Sequence, residues 1–242
     1  KVIVSAGGEN GKSLIAYDTS SGEPVWFGGN SRAGYSSALI APIHGEEKIL
    51  IFNQDGLAAH SPKDGTVLWS FDWNKPHPHV SMPLVLPDNK ILLSLGYGNG
   101  SKLVQVKKEG ESYSTSELWH SRRMKAKFTN LIFHKDHVFG LDDGIFACIE
   151  LELGRPRWKD GRYGHGQILL RNEHILVMAE NGDVLLLEAN PKKHSELTRF
   201  AALDGKTWNP PALAGEYLLV RNHREAACFK LPLAAAPTVA KQ

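Results

Sequence analysis

The sequence predicts an all-β chain, a β-propeller of four-stranded antiparallel blades with about five to six blades present. Three observations carry this. Short apolar runs recur at Val2, Ile49, Ile91, Val138, Ile175 and Leu218, in steps of 37–47 residues. Tryptophans keep phase with them at 26, 69, 119 and 158, with Phe200 in the next place. Asn/Asp/Gly clusters such as Asn53–Gly56, Asp142–Gly144 and Asn181–Asp183 punctuate the runs as tight hairpins. No window holds an apolar stripe of helical period. Four short strands every ~40–45 residues is the signature of a propeller blade.

The blades follow in order. Residues 1–29 hold Val2–Val4, a second strand near Leu14 and Trp26, four residues after the turn glycine Gly22. Residues 30–74 repeat this with Ile49–Ile51, Gly65 and Trp69. Residues 75–121 carry Ile91–Leu93 and a longer turn at Gly110 before Trp119. Residues 122–161 carry Val138–Phe139, Gly154 and Trp158. Residues 162–202 carry Ile175–Val177, with Phe200 where tryptophan would stand. Residues 203–233 carry Leu218–Val220 and lack a fourth strand, and residues 234–242 read as a loose tail. The first repeat begins at its second strand, so 22 strands are expected in one domain, 1–233. Trp26, Trp69, Trp119, Trp158 and Phe200 are expected to fill the gaps between neighbouring blades.

Composition excludes several classes. The 242 residues carry 28 Lys and Arg against 26 Asp and Glu, a net charge of +2, which gives no polyanion-binding tail. No run approaches the ~18–20 apolar residues of a membrane helix. The two cysteines, Cys148 and Cys228, share one repeat position. Equivalent positions in different blades lie at least ~10 Å apart, beyond the ~7 Å reach of a disulfide. Two small buried thiols without a bridge are expected.

Leu14–Trp26 and Leu57–Trp69 resemble the quinoprotein repeat, with its turn glycine and docking tryptophan. Arg32–Ser37, Ser94–Gly100, Lys127-Phe128 and Gly205–Trp208 are similar to stretches in a bacterial group of the same family. This is the pyrroloquinoline-quinone-like propeller family, which includes the outer-membrane assembly lipoprotein. The resemblance implies a seven- or eight-bladed ring, with one or two blades and a secretion signal upstream, so that the chain reads as a C-terminal fragment. It also implies a periplasmic or otherwise extracytoplasmic location. Quinone dehydrogenases of this family hold the quinone under a vicinal disulfide and bind calcium. Here no adjacent cysteines occur and no acidic cluster has calcium-loop spacing. No cofactor is therefore expected, with pyrroloquinoline quinone and calcium as the alternative.

Several motifs suggest chemistry. Ala6–Ser13 is close to a phosphate-binding loop, but a strand follows where a helix is needed. Gly34–Ala38 approaches a serine-hydrolase elbow around Ser36, again without the helix. His77 and His79 would lie on one side of an extended chain, with His165 at the matching entry of a later blade, but zinc wants three or four ligands and the segment reads as a solvent-exposed loop. Arg122–Lys127 is a lone basic cluster, read as a solvated loop rather than a nucleic-acid site.

The loops leading into each blade's innermost strand should gather at one end of the channel. They carry Arg32, Tyr35, His79, Lys127, His165, Lys206, Trp208 and Asn209 and no carboxylate. A basic, aromatic-lined face suits a protein partner or a small anionic or carbohydrate-like ligand. The expected function is non-catalytic binding there, with no catalytic residue and no metal. A quinone-dependent alcohol or sugar dehydrogenase is the alternative.

Overall fold

The computed structural model describes residues 1–8 and 10–232. It is all-β, with one short 3-10 turn at Pro87–Asn89, and its 22 strands form six antiparallel sheets, each a simple meander. The first sheet is β1 (Val2–Ser5), β2 (Leu14–Tyr17) and β3 (Pro24–Gly28). The second is β4 (Leu39–Ile43), β5 (Glu46–Asn53), β6 (Gly56–His60) and β7 (Val67–Asp72). The third is β8 (Leu84–Leu86), β9 (Lys90–Leu95), β10 (Gly100–Glu109) and β11 (Ser112–Ser121). The fourth is β12 (Ile132–His134), β13 (His137–Asp142), β14 (Ile145–Glu150) and β15 (Pro156–Arg162). The fifth is β16 (Gln167–Arg171), β17 (His174–Met178), β18 (Asp183–Glu188) and β19 (Glu196–Ala201). The sixth is β20 (Ala212–Ala214), β21 (Tyr217–Arg221) and β22 (Ala226–Lys230). The architecture is a β-propeller. The expected tail, 234–242, lies outside the described residues.

The apolar runs have a simple cause. Successive side chains on a strand point to opposite faces, and the central strand of each blade is covered on both. In β5, Leu50 and Phe52 pack toward the third sheet, while Ile49 and Ile51 pack toward the first. In β9, Ile91 and Leu93 face the second sheet and Leu92 faces the fourth. In β17, Ile175 and Val177 face the fourth sheet and Leu176 and Met178 the sixth. A strand buried on both faces reads as a continuous apolar run rather than an alternation. The core is thus five successive inter-sheet clusters. Among the first strands β12 touches both β8 and β16, which sets them innermost.

Three indoles reach the next sheet in the same way. Trp26 Nε1 donates to the Pro62 carbonyl at 3.3 Å, Trp119 Nε1 to Leu151 at 3.0 Å, and Trp158 Nε1 to Asn190 at 3.0 Å. Each acceptor sits in the turn before the last strand of the following sheet. Two of these turns close on glycines of positive φ, Gly65 (+78°) and Gly154 (+63°). A Cβ on Gly65 would run into the Trp26 ring, and one on Gly154 would stand 2.9 Å from Trp119. Glycine is required by the backbone and by the ring lying against it.

Trp69 differs. Its Nε1 is buried without a partner. The ten-residue strands β10 and β11 carry the third sheet's turn out to Gly110, and Trp69 lies instead in the buried cluster that includes Val104 and Val106. Phe200, in the fifth place, is 36% exposed and packs edge-on against Phe229 at 5.0 Å.

Both cysteines are free, but only Cys148 is buried. Cys228 pairs with Leu219 on the face of the sixth sheet that no described sheet covers. The expectation of two buried thiols is therefore corrected for Cys228: the repeat position sets where the side chain points, and a neighbour is needed to bury it.

Candidate functional site

The loops leading into the innermost strands bring several of the expected side chains near one another, with a different sorting from the one expected. Tyr35 is the most open aromatic of the set, 77% exposed. Arg32, beside it, is not free. Its guanidinium holds Asp55 through Nε at 3.1 Å and Nη2 at 2.7 Å, and its own amide donates to the same carboxylate. Burial pushes the Asp55 carboxyl up, and these hydrogen bonds more than offset it, so it stays below the usual range. Arg32 and Tyr35 line a recess of about 530 Å³ with Gln54, Asn74 and His77.

His79 is a correction. It is fully buried, its Nδ1 bonded to the Asn53 carbonyl at 2.6 Å and its ring 4.4 Å from Phe52. Since the carbonyl accepts, Nδ1 carries the proton, and Nε2 is an acceptor without a partner. Burial lowers its pKa, so the ring is neutral. It packs against Phe52 of the second sheet and is not available to a ligand at the surface. Ser36 is also buried.

Lys127, Lys206 and Trp208 come together around two rings the sequence reading did not single out as site residues, Tyr97 and Phe128. His77 stacks on Tyr97 at 4.9 Å, nearly parallel. Lys127 Nζ lies 4.7 Å from the centre of Tyr97 and 5.4 Å from that of Phe128. Phe128 lies 4.8 Å from Trp208 and 5.5 Å from His165. Lys206 Nζ sits 4.8 Å over Trp208. The result is a continuous row of rings and ammonium groups across the mouth, from the third sheet to the sixth. Asn209, half-buried, follows Trp208.

The supports are polar and specific. Gln167 Nε2 donates to the Phe128 carbonyl at 2.7 Å and the Trp208 carbonyl at 2.9 Å, tying two loops together. Glu180 accepts from the Trp208 indole and from the His165 amide, both at 2.9 Å. Burial pushes the Glu180 carboxyl up, but these two donors hold it below the usual carboxylate range. Tyr97 sits at φ +58°, a left-handed conformation uncommon for an aromatic residue. The Gly98 and Asn99 turn displays the ring outward, where it is 37% exposed.

The approach loops carry no carboxylate, but Asp55 and Glu180 reach the same end from hairpin turns. Lys125 is likewise neutralised. It shares the buried Asp142 with Lys159, which approaches at 2.8 Å. Lys127 and Lys206 pair with no carboxylate among the described residues. At the sixth-sheet end, Lys206 also lines a second recess of about 500 Å³, with Arg162, Tyr163, Glu180, Asp183 and Arg199.

A family described as outer membrane protein assembly factor BamB matches residues 1–160. The chain belongs to that family. BamB from Moraxella catarrhalis aligns over 92% of this chain and 78% of its own, at 14% identity and TM-score 0.52. The β-propeller domain of Cps50 (Swd1) from Myceliophteria thermophila aligns over 92% and 78%, at 13% identity and TM-score 0.64. A computationally designed protein, Ika8, aligns over 91% and 65%, at 11% identity and TM-score 0.62. These likenesses show the propeller fold. No curated protein matches the sequence.

Among the described residues no three of His, Cys, Asp and Glu converge on a point. The two thiols are separate, one inside the fourth sheet and one on the outer face of the sixth. No helix among the described residues is long and apolar enough to cross a membrane.

Proposed function

We propose that this protein is a non-catalytic binding propeller, working outside the cytoplasm without a resident quinone, that holds a protein partner at the mouth of its channel. The row from His77 through Tyr97, Lys127, Phe128 and Trp208 to Lys206 is the observation that carries this reading. Exposed aromatic rings are enriched at protein interfaces, and the two lysines among them supply charge complementarity. Here they come from loops far apart in sequence, and Gln167 and Glu180 hold the Phe128 and Trp208 loops in place before any partner arrives, which lowers the ordering cost of binding. The family description and the BamB neighbour support a scaffold role.

Site-directed photocrosslinking tests it. A benzoylphenylalanine at Tyr97 should give a defined adduct with one protein in cells. The same probe at Leu118, exposed on the outer strand β11, should not. Equal adducts from both positions, or none from Tyr97, contradict the reading.

A further inference from the structure

We infer that the segment this face takes up is an acidic, extended peptide whose carboxylates are held by Lys127 and Lys206; this rests on the reading of the mouth as a protein-binding surface. The cations of the mouth sort themselves by partner. Arg32 is spent on Asp55, and Lys125 and Lys159 on Asp142. Lys127 and Lys206 lie over aromatic faces and make no ion pair among the described residues, although Lys206 is near enough to Glu180 to help hold that carboxyl down. A ring under an ammonium group fixes its position while leaving its charge for another anion. These two lysines are therefore the unpaired cations within the row, one on each side of the Phe128–Trp208 pair; Lys75 and Arg162, which also make no ion pair among the described residues, line the recesses at its two ends.

The row also has a direction and a length. His77 lines the recess at one end, and Lys206 lines the recess at the other. Five contacts of about 5 Å join them, a path of at most about 25 Å, the reach of roughly seven extended residues. The rings between the lysines offer flat apolar surface to side chains that alternate with the acidic ones. Asp55 and Glu180 flank the path. A uniform polyanion such as a nucleic acid meets these carboxylates along with the lysines, whereas a peptide with spaced acids avoids them.

Fluorescence anisotropy with a fluorescein-labelled (Glu-Tyr)5 peptide tests this on the full chain. The wild type should bind it, more weakly as salt rises, and should bind a (Lys-Tyr)5 peptide and a 20-nucleotide single-stranded DNA at least tenfold less well. The double variant Lys127→Gln with Lys206→Gln should lose at least tenfold in affinity. Lys127→Arg with Lys206→Arg should keep it, and Lys63→Gln, in an exposed outer turn, should leave it unchanged. An unaltered melting temperature in the Gln variants separates lost charge from lost fold. The inference is overturned if the wild type does not bind the acidic peptide, if the Gln pair binds as well as wild type, or if DNA binds as tightly. A specific Tyr97 photoadduct without acidic-peptide binding would sink this inference alone; failure of both would sink the mouth as a binding face.

Discussion

Gly65 and Gly22 are the same residue in the same turn, and their surroundings differ. Both have φ near +77°, and both turns close with the same pair of backbone hydrogen bonds, at 2.9 Å. A Cβ at Gly65 strikes Trp26, while one at Gly22 meets nothing within 4 Å. Gly22→Ala should therefore cost only backbone strain, about 1 kcal/mol. Gly65→Ala should cost that plus displacement of an indole, about 3 kcal/mol in all. Urea denaturation of the two variants checks this; equal losses would mean the indole is not seated on the turn.

Asp142 carries a pH signature. Burial pushes its carboxyl up, but hydrogen bonds from Lys125, Lys159 and the Lys125 amide prevail, and the net direction is down. A carboxyl depressed in the folded state adds stability that is whole above the unfolded value of ~3.9 and is lost as pH falls through the folded one. Asp142→Asn should lower stability at pH 7 by about 3 kcal/mol, and the gap to wild type should narrow below about pH 4. A gap that stays constant down to pH 3 would contradict the assignment.

Among the elements, the strands were the most legible part. The doubly buried central strands leave unbroken apolar runs, and the indole spacing marks where each blade ends. The 22 strands and their meander order follow from those two signals. Trp69 shows where the pattern stops informing. Its spacing from Gly65 matches Trp26, yet its indole finds no carbonyl because the third sheet's hairpin is longer. The site was only half legible, because approach loops can be read from their position before a strand, while contributions from hairpin turns cannot. Tyr97, Asp55 and Glu180 belong to turns between later strands of their blades, and only the folded sheet brings those turns to the same end. His79 failed for a related reason: a period of two along an extended chain does not say which side faces water.

For the whole molecule, the two end sheets are the exception to the burial rule. The outward face of the first sheet leaves Val2, Val4 and Phe27 exposed, and that of the sixth leaves Tyr217 and Leu219 exposed. The cysteines report this difference chemically. Burial pushes the Cys148 thiol up to about 12, so it is both unreachable and protonated. Iodoacetamide on the native chain should add one carbamidomethyl group, at Cys228, and a second only after unfolding. Two additions to the folded protein would contradict the packing of the fourth sheet against the fifth.

The claim that the mouth is the working face is tested most directly by lysine footprinting. Acetylation rates are compared by mass spectrometry with and without the (Glu-Tyr)5 peptide bound. The account predicts protection of Lys127 and Lys206, with Lys63 and Lys230 acetylated at unchanged rates. Protection of Lys63 or Lys230 with Lys127 and Lys206 left reactive would contradict it.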